Sequence, residues 1–164
     1  MKKLTIKNAK ELSEKYLLKN REIDPYHFIH TLKVVQAVKI ISKNKKLDNK
    51  TLEICAWLHD IGYSIGNLPN RAPNHAKNSV KILIKDGFEV TDKIKDCILN
   101  HGSNGNPKTK EGKILQIAVK FNIIDKDFLD YLINGKSKDN KIEFLKYRTD
   151  SVVKMLKKLK SLKF

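Results

Sequence analysis

Apolar residues fall three and four positions apart along nearly the whole chain, the spacing of helices that each bury one face. Lys7 to Leu18 reads as a short amphipathic helix. His30, Val34, Ala37, Val38 and Ile41 stand at i, i+4, i+7, i+8 and i+11 and predict a second helix with one buried stripe. Asp48 is placed to cap a third, which carries Leu52, Cys55, Ala56 and His59 and is expected to stop at Gly62. The stretch 63–73 holds Gly66, Pro69 and Pro73 and predicts a loop. A helix is expected over 75–86, ending at Gly87, and another from a cap at Asp92, with Ile94, Cys97, Ile98 and His101 on one face. After a Gly-, Asn- and Pro-bearing loop at 102–110, a long helix is expected from about Glu111 to Ile133. The last helix is expected over about 139–162, with Val152, Leu156 and Leu159 inward and Lys154, Lys157, Lys158 and Lys160 largely outward. No period-2 strand pattern of useful length occurs, and Phe88-Glu89-Val90 is too short to count. The expectation is therefore an all-α fold: one domain over 1–164, built as a bundle of about six or seven helices.

Composition narrows the class. A chain of 164 residues has the size of one domain and can bury a core; 40% hydrophobic with 32% charged residues reads as globular, not disordered. No apolar run approaches the roughly 18 residues of a membrane helix. The basic start, Met1 to Lys7, has no apolar stretch or cleavage site behind it, so no signal peptide and a cytoplasmic setting are expected. Cys55 and Cys97 lie inside apolar helical patterns without a C-x-x-C spacing, which suits two reduced, buried thiols. The net charge of +16 sets up a field that attracts anions: nucleotides, phosphorylated metabolites, nucleic acid or an acidic membrane surface. Lysine dominates it without aromatic interleaving, which favours a small phosphate-containing partner over a nucleic-acid reading surface.

The five histidines carry the chemistry: His27, His30, His59, His75 and His101. Any one alone is more often a satisfied core or surface residue. Yet His30, His59 and His101 each continue an apolar stripe, beside Val34, Cys55 and Ile98, and a buried imidazole needs a partner for its nitrogens. Three inward imidazoles from three helices, with Asp60 next to one, meet that need most simply by sharing a metal ion. His59 and Asp60 point about 100° apart on a helix and would share an ion only across the seam at a helix end. Gly62 is expected to break that end and open the site to solvent.

The string Leu58-His59-Asp60-Ile61-Gly62 resembles the HD motif, in its HDIG form, of the HD-domain superfamily of metal-dependent phosphohydrolases. Asp24 to Val34 is similar to that superfamily's first-histidine helix, with His30 in the ligand position. Thr51 to Leu58 resembles the apolar approach to the pair, while Asn74-His75-Ala76 and Ile98-Leu99-Asn100-His101 match two further histidines of many members. The resemblance covers about 24–130. It implies metal ligation by His30, His59, Asp60 and an aspartate on a later helix. That aspartate is Asp125 in one alignment; another puts Val119 in its place. Ile114, Ala118, Phe121 and Asp125 share a helical stripe, which favours Asp125.

Mixed nitrogen and oxygen ligands suit Mn, Fe, Co, Ni or Zn rather than Mg, as one ion or two. His75 and His101 would hold a second ion bridged by Asp60, or instead touch phosphate or protonate a leaving oxygen. His27, Arg71 in the loop over the site, and Lys126 are candidates for substrate contact. The resemblance implies hydrolysis of a phosphate ester of a nucleotide or other small phosphorylated metabolite, without choosing between mono- and diesters or setting the oligomeric state. The alternative is a weak or inactive HD-fold module that binds nucleotide or nucleic acid through its basic surface.

Overall fold

The computed structural model describes residues 1–20, 23, 26–65, 71–121 and 138–161. Among them the regular elements are helices, with α1 at Ile6–Ser13, α2 at Tyr26–Ser42, α3 at Asn49–Leu58, α4 at Arg71–Lys85, α5 at Asp92–Leu99, α6 at Lys110–Phe121 and α7 at Lys138–Ser161. The expected all-α bundle is the fold found.

The order of burial along α3 makes it the centre of the molecule. Leu52 and every residue from Ile54 to Leu58 are buried, so this helix has no solvent face except at Glu53 and its start. It packs against α1, α2, α5 and α6. Asp48 caps it as expected, accepting from the Thr51 backbone N–H at 3.0 Å. It does not run on to Gly62. It ends at Leu58, and a separate 3-10 turn follows at Ile61–Ser64. Asp60 breaks the helix: its φ of −111° and ψ of 2° lie in the bridge region, where residues of active sites often sit.

Other expected boundaries shift for local reasons. The helix expected over 7–18 begins at Ile6, behind a Thr5–Asn8 capping box, and its second part, Glu14–Leu18, widens to a π-helical turn that buries Leu17. α4 starts at Arg71, inside the stretch read as a loop. Pro73 falls in its first turn, where a missing N–H costs no helical bond. Gly87 ends the region at a φ of 81°, a conformation open to glycine. Thr91, not Asp92, caps α5; its hydroxyl accepts from Ile94 N–H, and Asp92 is the first helical residue. Phe88 makes one isolated bridge to Lys2, and no strand occurs among the described residues.

The described part of the long helix is α6, and the rest, to Ile133, lies outside the described residues. In α7, Leu156 is 44% exposed instead of inward, because α7 packs on α6 and leaves this side uncovered by the described residues. Lys154, Lys157 and Lys160 are exposed, as expected. Cys55 and Cys97 are free and fully buried. No helix among the described residues is long and apolar enough to cross a membrane.

Candidate metal centre

Four helices and one turn converge on Asp60. His30 comes from the second turn of α2, and His59 follows the last residue of α3. His75 comes from the start of α4, and His101 lies just beyond α5. Asp60 itself is 5% exposed, and His59 and His101 are 0% and 3% exposed.

The ligand atoms form two triangles that share the Asp60 carboxylate. In the first, Asp60 Oδ2 lies 3.5 Å from His30 Nε2 and 3.3 Å from His59 Nε2, and the two nitrogens are 3.3 Å apart. In the second, Asp60 Oδ1 lies 3.5 Å from His75 Nε2 and 3.3 Å from His101 Nε2, with those nitrogens 2.9 Å apart. Two ligands at ~2.1 Å from one ion stand about 3.0 Å apart at a right angle and about 3.4 Å apart at the tetrahedral angle. Both triangles have the edges of ligand sets on a common ion.

Tautomers point the same way. His59 Nδ1 lies 2.9 Å from the Ala56 carbonyl, and His101 Nδ1 lies 2.6 Å from the Ile98 carbonyl. A carbonyl can only accept, so each Nδ1 carries its proton there and, in the neutral ring, Nε2 offers a lone pair toward the cluster. Nitrogens that face each other at 2.9–3.3 Å need a cation or a proton between them. Asp60 Oδ1 is moreover buried without a hydrogen-bond partner, which is costly for a carboxylate unless a cation meets it. The residues present therefore fit a divalent transition metal in each triangle.

His30 is held in the neutral state a ligand needs, whereas without a cation the Asp60 charge draws a proton to His59, which a bound ion would displace. Burial lowers His30 to about 3, with Asp60 offsetting only part of that, so its ring is neutral at pH 7. Burial also works to lower His59, but the Asp60 charge and the hydrogen bonds of the ring outweigh it and the net shift is upward. Burial alone would raise Asp60; the His59 and His101 rings hold it well below the usual carboxylate range.

Gly62 serves a purpose other than the one expected. It is buried, and a Cβ there would fall 1.9 Å from the His75 carbonyl oxygen and 2.4 Å from Ser79 N. It does not open the site; it admits the backbone of α4 and so brings His75 in. Ser79 secures the contact. Its hydroxyl accepts from Gly62 N–H at 2.9 Å and donates to the His59 carbonyl at 2.8 Å, with the His75 carbonyl at 3.1 Å as the other acceptor.

Three residues of the site escaped the reading of the chain. Ser79 shares the face of His75 at i+4, a usable signal. Gln116 is a buried polar residue inside the apolar run Ile114 to Ala118, and such a residue demands partners. Its amide nitrogen lies 3.2, 2.8 and 2.8 Å from the carbonyls of Asn100, Gly102 and Gly105, and so fixes the backbone on both sides of His101. Tyr63, whose ring stacks with His27 and with His75, left no signal in the sequence.

Of the expected site residues, the structure brings together His30, His59, Asp60, His75 and His101. His27 lies in α2 one turn before His30 and meets the cluster through Tyr63. Arg71 is the first residue of α4 and not a loop residue; its side chain lies outside the described residues, as do Asp125 and Lys126 altogether. Val119 is half-buried against the core.

An all-helical domain with histidines and an aspartate gathered from separate helix ends defines a class of metal-ligating helical proteins. The family model described as the HD domain matches residues 27–121, more than half of the chain, and takes in all five histidines and Asp60. The chain belongs to the HD-domain family. It is 31% identical over 121 residues to a deoxyguanosinetriphosphate triphosphohydrolase-like protein of Caldanaerobacter subterraneus subsp. tengcongensis, covering 65% of this chain and 35% of that protein. A protein of the same description from Clostridium tetani is 29% identical over 126 residues, covering 65% of this chain and 36% of that one. The chain thus spans about a third of the length of these relatives. No solved structure gives a significant match.

Proposed function

We propose that this chain is a metal-dependent phosphohydrolase that cleaves a phosphate ester of a nucleotide or another small phosphorylated metabolite. The observation that carries the proposal is the pair of ligand triangles sharing one buried carboxylate. Family membership and the triphosphohydrolase-like descriptions of the relatives support the reaction class. The net charge of +16 favours an anionic substrate. Two buried free thiols and the lack of a membrane-crossing helix among the described residues agree with action in the cytoplasm.

His30, His59 and Asp60 would hold one ion and Asp60, His75 and His101 a second, with Asp125 as the fourth ligand of the first. Nitrogen and carboxylate donors together select Mn, Fe, Co, Ni or Zn. The bound metal supplies an acidified water and a Lewis acid for a phosphoryl oxygen. The chain's own residues supply the rest. Asp60 stays ionised and joins the two ligand sets. His59 and His101 keep their Nδ1 protons on backbone carbonyls and cannot turn away. His75, with 18% of its side chain exposed, is the more accessible ring of the second set, which supports assigning to it contact with a phosphate or protonation of a leaving oxygen. His27, Arg71 and Lys126 are assigned to substrate contact.

The test is metal analysis of the purified chain beside Asp125→Ala, followed by a hydrolysis screen that includes deoxynucleoside triphosphates, phosphomonoesters and cyclic dinucleotides. Roughly stoichiometric transition metal with turnover of one class supports the proposal. A metal-loaded chain inert to the whole panel would point to the binding-module alternative.

A further inference from the structure

His59 and His101 are fixed by hydrogen bonds to the backbone of their own helix ends. His75 rests on an aromatic ring. Its ring lies flat on Tyr63, with centroids 4.5 Å apart and planes within 9° of parallel. Tyr63 also stacks with His27, with centroids 4.2 Å apart and planes at 28°. Three rings, from α2, the 3-10 turn and α4, thus meet through Tyr63.

Tyr63 is tied to the same turn as Asp60, since its N–H donates to the Asp60 carbonyl at 3.0 Å. The slab against which His75 rests is therefore held by the residue toward which His75 points. This matters because an imidazole turns easily about its last torsion, which has no sharp staggered wells. A flat wall on one side removes that freedom. With the ring parallel to Tyr63, His75 Nε2 lies 3.5 Å from Asp60 Oδ1 and 2.9 Å from His101 Nε2, the second triangle. A ring rotated out of that plane would lose one or both distances.

We infer that Tyr63 is a positioning residue whose ring face sets the plane of His75 and thereby the affinity of the Asp60–His75–His101 triangle for a divalent transition metal. The inference rests on the two-ion reading above. It concerns the ring and not the hydroxyl, so phenylalanine should replace tyrosine there without loss.

The experiment is titration of the metal-free full chain with Co²⁺, followed by calorimetry and by the visible absorption of the bound ion, in wild type, Tyr63→Phe, Tyr63→Met and Tyr63→Leu. His101→Ala marks which binding step belongs to the second triangle. Wild type and Tyr63→Phe should take up two ions alike. Tyr63→Met, which keeps bulk but has no flat face, should keep the His30–His59–Asp60 ion and bind the second about 10- to 100-fold more weakly, the usual effect of removing a group that orients a ligand. The retained first ion reports that the variant is folded; if Tyr63→Met unfolds, Tyr63→Leu gives the same comparison. Equal second-ion affinity in the folded Met or Leu variant overturns the inference, as does an equal loss in Tyr63→Phe. A wild-type chain that takes up one ion overturns the two-ion reading itself and the inference with it.

Discussion

Gly62 lies directly against the backbone of His75: a β-carbon on Gly62 would stand 1.9 Å from the His75 carbonyl oxygen. The glycine of the HDIG string thus sets the distance between the turn that carries Asp60 and the helix that carries His75. Since both neighbours are backbone atoms, neither can rotate away. Gly62→Ala should push α4 outward and cost ~1–3 kcal/mol or more, as overpacking of a closed site does. Urea denaturation measures the stability loss, and metal analysis should show the second triangle weakened more than the first. A variant as stable as wild type would show that α4 can shift freely.

Asp60 is the shared vertex of both triangles, and this makes the variants unequal. Asp60→Ala should lose both ions. His59→Ala should lose the first and keep much of the second, and His101→Ala the reverse. Elemental analysis after dialysis against Co²⁺ gives the count per chain. Retention of two ions by Asp60→Ala would contradict the shared carboxylate.

Ser79 is fully buried and bonds to both sides of the contact between α4 and the 3-10 turn. Ser79→Ala leaves Gly62 N–H without its acceptor, and an orphaned buried donor costs about 1–3 kcal/mol. Thermal melting of the metal-free chain should reveal it. A change under ~0.5 kcal/mol would mean that water or a backbone shift takes over the hydroxyl's place.

Much of this centre could be read from the chain, and what could not has a common cause. His30, His59 and His101 were legible because each extends an apolar stripe, so burial and direction follow from periodicity. Asp60 was legible as the acid beside His59, and His75 came through resemblance. The end of α3 at Leu58 was misplaced because glycine is the strongest written stop signal, whereas here Asp60 leaves helical geometry two residues earlier. Tyr63, Ser79 and Gln116 owe their roles to partners on other elements, so spacing along one helix does not reveal them. Leu156 fits an apolar stripe, but periodicity predicts a face and not whether a neighbour covers it.

Asp96 organises the loop that follows His101. Its carboxylate accepts from Lys108 N–H at 3.0 Å, Thr109 N–H at 2.8 Å and the Thr109 hydroxyl at 2.6 Å. Burial works to raise its pKa, but these donors outweigh it and the folded value lies below the ordinary one. A depressed carboxylate adds stability that is present above its unfolded pKa of about 3.9 and is lost as pH falls through the folded value. Asp96→Asn should therefore be ~1–3 kcal/mol less stable at pH 7, since it swaps an acceptor for a poorer one among fixed donors. The gap from wild type should close below about pH 4. Denaturation at a series of pH values checks both, and a gap that stays constant into acid would rule out the carboxylate as its source.

The moorings of His59 and His101 on carbonyls three residues back have one more effect. Each ring is lashed to the terminal coil of its own helix, and helix ends are where fraying begins. Should either coil unwind by a single loop of chain, its imidazole swings loose and the cluster loses a donor. Readiness to grip a cation and integrity of two helix tips are in this chain the same property, and anything that grips the cluster tightens both tips.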